Sequence, residues 1–381
     1  MGHGERRAAD DLTPKPGISE RFKEPLFGVH DTSPHIEHDR KVTDGTLEFL
    51  RNRKNSDAPF MLLAGYLTPH FPLIVPQKYW DAYRGKVPMP IIPEGFLDTL
   101  PLNYRHLRIG FNVEDVPDDV VRTGRELYFG LVQWMDEEVG KVLACLGGSE
   151  AADNTVVIYT ADHGENMGEH GLWWKNCLYD SAARVPLIVS WPARWNGGQR
   201  RTQACSLVDV VRTIAELGGA KTPKDWNGDS MLRWLDDPKS SWKDRAVSEY
   251  YAHNIASGYA MIRTQDFKYV YHTPPDEKHP PQHELYDMKE DPGEFHNSPP
   301  NPNMRNVLHR CMPRLSRNSA RSPIRPSNAA EPITPRGTCV TTARARRRND
   351  HINVKPNESP RSGCHVKGVL HPPPTIRQKY I

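Results

Sequence analysis

The chain lacks any run of about 18 apolar residues, so no membrane-crossing helix is expected anywhere in its 381 residues. Its six cysteines (Cys145, Cys177, Cys205, Cys311, Cys339 and Cys364) are scattered, without one Cys-x-x-Cys pair. That spacing speaks against a structural zinc site and against a disulfide framework, and it leaves the redox compartment open. The opening Met1-Gly-His-Gly-Glu-Arg-Arg is charged and has no apolar segment behind it, unlike an export signal, and Arg6 departs from the myristoylation pattern. Localisation is therefore not readable, and any export signal would lie in a preceding segment.

Phe and Trp are absent from residues 301–381, and Tyr380 is the one remaining aromatic of the Phe, Trp and Tyr class there. The same stretch holds 13 Arg and 3 Lys against 3 acidic residues, a charge of +13 where the whole chain carries +3. Residues 1–300 are thus an acidic body at −10, and 301–381 reads as a basic, Pro- and Arg-rich disordered tail. Two further readings of the tail are a coding frame that shifts near residue 299, and a patch around Arg344-Ala-Arg-Arg-Arg348 that binds nucleic acid or another anion.

What is present alternates in character. Residues 1–44 read as an irregular polar segment. Phe60-Met-Leu-Leu-Ala-Gly-Tyr66 has the length and composition of a strand buried on both faces, stopped by Pro69 and Pro72. Residues 77–112, interrupted by prolines, read as a long surface excursion. A helix is predicted over 119–146, where Leu127, Leu131, Met135, Val139, Val142, Leu143 and Leu146 form one stripe closed by Gly147-Gly148. Strands are predicted over 155–160 and 185–190, and a helix opens at Ser206 with Asp209 three residues on. This order predicts an α/β sandwich with a mostly parallel sheet over 45–240. Short runs at 246–251, 258–263 and 267–272 predict a small antiparallel subdomain over 241–300.

The densest chemistry is Thr160-Ala-Asp-His-Gly-Glu-Asn-Met-Gly-Glu-His-Gly-Leu-Trp-Trp-Lys175. Asp162 and His163 follow a buried strand, where α/β sheets bind ligands and where a carboxylate and an imidazole can face one metal ion. Gly164 permits a sharp turn, and Lys175 has an apolar stretch to hold its stem while the ammonium meets an anion. Read only as chemistry, Glu165, Glu169 and His170 form a solvated loop or an adventitious metal site, and His70, between two prolines, is a structural histidine or a ligand.

The combination resembles a family. The stretch from Tyr159 to Lys175, closing with Arg184-Val-Pro-Leu-Ile188, resembles the signature of type I sulfatases of the alkaline-phosphatase superfamily. Three more segments agree in order: Pro59-Phe60 to Pro69-His70-Phe71-Pro72, Tyr128-Phe129 to Met135-Asp136-Glu137-Glu138-Val139-Gly140, and Glu284-Leu285-Tyr286-Asp287 to Asp291-Pro292-Gly293-Glu294. Gln77-Lys-Tyr-Trp-Asp-Ala-Tyr83, Ser181-Ala-Ala-Arg-Val-Pro186 and Phe267-Lys-Tyr-Val270 are most similar to choline sulfatases, with iduronate-sulfatase-like enzymes next. The resemblance implies an alkaline-phosphatase-like fold and hydrolysis of a small sulfate ester by a cysteine-derived formylglycine beside a Ca2+ ion. It also implies that Asp162 and His163 are calcium ligands, that Lys175 holds a sulfate oxygen and neutralises the leaving oxygen, and that His70 contacts the sulfate or supplies a proton.

The sequence departs from that pattern in holding no Cys/Ser-x-Pro-Ser-Arg motif. Cys311-Met-Pro-Arg lies in the tail, and Asp10-Asp11 lacks a preceding apolar strand. The expectation is a carboxy-terminal sulfatase piece, short of its first strands, poorly soluble and inactive alone. Two alternatives stand beside it. One is a phosphodiesterase or phosphonate hydrolase of the same superfamily, for which Asp180, Asp209 and His253 are the available extra ligands. The other is a non-catalytic protein that binds anions or nucleic acid through the tail, an unlikely partner for the acidic body. Trp173, Trp174 and Tyr179 are available for the aromatic cage that a choline group would need. Oligomeric state is open.

Overall fold

Ser33 starts the first helix in the manner expected of a cap: its Oγ accepts from the Ile36 amide at 3.2 Å, and Pro34 occupies the first helical position. The computed structural model describes residues 7–14, 19–54, 58–253 and 255–298. The tail and the readings placed on it, with Cys311, lie outside the described residues. A short strand β1 (Phe27–Val29) precedes helix α1 (Pro34–Arg51), so the described residues from 27 to 44 are not the irregular segment expected from their polarity. The face that α1 buries is Ile36, Asp39, Thr43, Thr46 and Leu50. Its spacing is helical, but three of those five side chains are polar, and no apolar stripe announces it.

β1 pairs in parallel with β2 (Leu73–Val75), Phe27 opposite Leu73. Helix α2 (Gln77–Tyr83) and helix α3 (Leu102–Gly110) follow, so 77–112 is not a surface excursion. Prolines end elements there, yet Phe96, Leu100, Tyr104 and Leu107 are buried against Leu172, Tyr179, Tyr259 and Tyr286. Helix α4 (Asp118–Gly147) buries Leu127, Leu131, Met135, Val142 and Leu146 as its stripe predicts, and α1, α2 and β2 all pack on it.

The run 60–66 is the clearest departure. Leu62 is buried and makes an isolated bridge, while Met61 is 49% and Leu63 70% exposed. Burial on both faces needs neighbours on both sides, and the described residues supply an extended ladder on neither. β3 (Val157–Thr160) pairs antiparallel with β4 (Leu187–Ser190), Thr160 opposite Leu187. Sheet pairing before the subdomain is thus one parallel and one antiparallel pair among the described residues. The chain between β3 and β4 carries the motif loop and the single turn α5 (Asp180–Ala183) in place of a crossover helix.

Helix α6 (Leu207–Leu217) opens with the expected capping box, Ser206 with Asp209, and α7 (Leu232–Asp236) packs beneath it through Met231 and Trp234. The chain then forms one antiparallel meander of β5 (Ala246–Tyr250), β6 (Tyr259–Arg263), β7 (Phe267–His272) and β8 (Gln282–Asp287). No helix among the described residues is long and apolar enough to cross a membrane, and Cys145, Cys177 and Cys205 are free.

Candidate functional site

The loop after β3 is folded back on itself by backbone bonds. The Gly164 amide donates to the Ala182 carbonyl at 2.8 Å and the Glu165 amide to that of Ser181 at 3.0 Å. A Cβ at residue 164 would stand 2.1 Å from the Ser181 oxygen, so only glycine fits. Buried Asn166 staples the two arms together. Its Nδ2 donates to the Trp174 carbonyl at 2.6 Å, and its Oδ1 accepts from Ser181 Oγ at 2.6 Å and from Cys177 Sγ at 3.4 Å. Trp174 adopts a left-handed φ of 60°, which returns the chain so that Lys175 faces His163.

His70 arrives from a different part of the chain. Asp39, fully buried on α1, accepts from the Leu67 amide at 2.8 Å, the Thr68 amide at 2.8 Å and Thr68 Oγ1 at 2.6 Å. That carboxylate fixes the backbone two residues ahead of His70. The result is a cluster of three: Lys175 Nζ lies 2.9 Å from His70 Nε2 and 2.8 Å from His163 Nε2. Each imidazole meets a backbone carbonyl through its other nitrogen, His70 Nδ1 at 2.6 Å from Phe71 O and His163 Nδ1 at 2.8 Å from Gly164 O. A carbonyl only accepts and an ammonium only donates, so both rings carry their proton on Nδ1 and present a lone pair at Nε2. Burial holds His70 below its ordinary pKa against the pull of the Phe71 carbonyl, and the positive charge of Lys175 reinforces it. Lys175 therefore spends two of its three N–H bonds on neutral acceptors and keeps one.

Asp162 borders this cluster without joining it. Its side chain is 86% exposed, its Oδ1 accepts from the His163 amide at 3.0 Å, and its Oδ2 lies 3.5 Å from His163 Nε2. The donors present among the described residues do not by themselves make a calcium site. Ca2+ takes six to eight oxygens, whereas these residues offer one carboxylate and an imidazole whose lone pair already accepts from an ammonium. The described residues hold no group of three or more His, Cys, Asp or Glu arranged for a metal. Asp180, Asp209 and His253 are also dispersed: Asp180 pairs with Lys268 at 2.5 Å, Asp209 with Lys243 at 2.5 Å, and His253 contacts Tyr250. Trp173 and Trp174 belong to the core around α4 and Tyr179 to the core under the meander, so the three aromatics form no cage.

Neighbours of the motif do work that sequence reasoning left to solvent. Glu165 is pushed up to about 7 by burial, against backbone N–H bonds and the Lys175 charge. Glu169 pairs with Arg125 at 2.9 Å. His170 is buried, stacks on Tyr179 at 3.9 Å and donates through Nε2 to the Gly293 carbonyl at 2.9 Å. Burial lowers it to about 4. Behind it, fully buried Lys268 of β7 meets Asp180 Oδ1 and Glu294 Oε1, each at 2.5 Å. The meander thereby grips the turn α5 that closes the loop.

A family model described as Sulfatase matches residues 7–220, and one described as N-sulphoglucosamine sulphohydrolase, C-terminal matches 168–321. The chain is 28% identical over 295 residues to a choline-sulfatase of Rhizobium meliloti (strain 1021), covering 72% of this chain and 54% of the relative. It is 32% identical over 222 residues to iduronate 2-sulfatase of Mus musculus, covering 49% and 40%. Among solved structures, a phosphonate monoester hydrolase from Silicibacter pomeroyi superposes with a TM-score of 0.63 at 24% identity, covering 84% of this chain and 67% of the other. The chain spans about half the length of the curated relatives it matches. The shared fold is the alkaline-phosphatase-like α/β fold.

Proposed function

This chain belongs to the sulfatase family, and we propose that it carries the oxyanion-holding portion of a sulfuric ester hydrolase whose substrate is a small sulfate ester. One observation carries the reading: Lys175 Nζ is held by two neutral imidazoles with one N–H left over, poised for an oxygen of a tetrahedral anion. In that reading Lys175 donates to a sulfate oxygen and offsets the charge that develops as the ester oxygen leaves. His70, kept neutral with its proton turned toward Phe71, orients the ammonium instead of donating a proton itself.

The nucleophile is the part this chain does not furnish. Cys177 stands two residues from Lys175, but its thiol is buried, donates to Asn166 and is pushed up to about 12 by burial. A thiol so placed is inert. Formylglycine has no cysteine in its motif here, and the donors present do not fit calcium, so no step is routed through either group. The chain is proposed to bind sulfate without turning over its esters.

Calorimetric titration of the full chain with inorganic sulfate, beside an assay with an aryl sulfate, tests this. Saturable sulfate binding that weakens about 10- to 100-fold in Lys175→Met is expected, with hydrolysis at background. Hydrolysis well above background by the purified chain would overturn the inactive assignment, and binding unchanged in Lys175→Met would overturn the role of Lys175.

A further inference from the structure

Two imidazoles that each donate Nδ1–H to a carbonyl and turn Nε2 toward one point have the geometry of metal-ligating histidines. Here the Phe71 and Gly164 carbonyls set both tautomers, and the point the lone pairs share is occupied by Lys175 Nζ, 2.9 and 2.8 Å from them. The lysine cannot drift from that position easily. Its backbone follows the left-handed turn at Trp174, and the Trp174 carbonyl is tied to Asn166 by both the Asn166 amide at 2.9 Å and Nδ2 at 2.6 Å.

We infer that in this chain the Lys175 ammonium, and not a divalent cation, is the resident positive centre between His70 and His163. A metal ion could reach the His163 lone pair only by displacing a like charge from it. His70 and His163 are then positioning residues: they accept two of the three Lys175 protons and leave the third aimed out of the cluster. Asp162, 3.5 Å from His163 Nε2 and largely exposed, completes a two-histidine, one-carboxylate set once the ammonium is gone. That donor set suits zinc better than calcium. The assignment deepens the oxyanion reading only in saying which proton meets the anion; the cation assignment stands on the hydrogen-bond directions alone.

Equilibrium metal titration of the full chain, with folding followed by circular dichroism, separates the two. Wild type titrated with Ca2+ alone is expected to show no saturable binding that depends on His163, and its affinity for inorganic sulfate should be the same with and without Ca2+. Lys175→Met is expected to take up one more Zn2+ than wild type, and Lys175→Met with His163→Gln is expected to lose it. Lys175→Gln replaces the methionine variant if that one fails to fold. Saturable Ca2+ binding lost in the double variant Asp162→Ala with His163→Ala, or zinc stoichiometry unchanged on removing Lys175, overturns the inference. Failure of wild type to bind sulfate sinks the oxyanion reading without touching the calcium and zinc arms.

Discussion

Lys268 and Lys175 are the same residue in two opposite settings. Lys268 is fully buried and meets two carboxylates, Asp180 and Glu294, each at 2.5 Å, and its Nζ also donates to the Leu178 carbonyl at 2.9 Å. Lys175 is partly buried and meets two imidazole lone pairs, which bring no opposing charge. The first lysine has every demand met inside the protein. The second has its direction fixed by acceptors that carry no charge. Buried charges with full partners hold structure in place, whereas a charge held by neutral acceptors keeps its attraction for an anion.

Protonation follows the same division. Burial pushes Glu294 up to about 7, with Asp180 adding to the rise and Lys268 opposing it. For Asp180 burial also works upward, yet Lys268, Arg263 and Arg184 together bring it below its usual value.

Substitutions of the two lysines should therefore part company. Lys268→Met strands two carboxyl groups in the interior and is expected to cost about 3–5 kcal/mol of stability, read by urea denaturation. Lys175→Met should cost far less stability while removing sulfate affinity. Were Lys175→Met the more destabilising of the two, the contrast would be broken.

His170 sharpens the structural side. Its folded pKa of about 4 lies below its unfolded value, so the folded state binds fewer protons than the unfolded chain between about pH 4 and 6.5. Stability is then fully present above about 6.5 and lost as pH falls toward 4, by about 3 kcal/mol at most. His170→Phe should flatten that acid limb in denaturation midpoints measured from pH 4 to 7. An unchanged limb would place the acid sensitivity elsewhere.

Asn166→Ala removes the staple that links the site loop to Ser181 and Trp174. About 1–3 kcal/mol of destabilisation is expected, together with weaker sulfate binding, because the Trp174 turn that aims Lys175 loosens. Asp162→Asn is the smallest change. With its side chain 86% exposed, it should shift stability by no more than about 0.5 kcal/mol, and calcium titration should not distinguish it from wild type.

Much of the architecture was legible because it is local. The stripe of α4, the Ser206–Asp209 box of α6 and the alternation of β5, β6 and β7 each declare themselves within a few turns or residues. Helix α1 shows no apolar stripe because Asp39, Thr43 and Thr46 face inward, and buried Asp39 holds the backbone ahead of His70. Over 77–112 the prolines mark where elements end, and proline content does not report whether the residues between them are buried. The apolar composition of 60–66 does not decide its burial, because burial of a strand is set by its neighbours.

From the sequence alone came the family, through four motifs in order, and the identity of the residues worth watching: His70, Asp162, His163 and Lys175. Tertiary structure decided which of them meet and which way their protons point. His70 and Lys175 are 105 positions apart and 2.9 Å apart in space, a closeness that no local pattern encodes. The proton directions rest on the carbonyls of Phe71 and Gly164. A backbone carbonyl is the same in every residue, so only the folded chain can say where it points, and here it turns two potential metal ligands into supports for an ammonium.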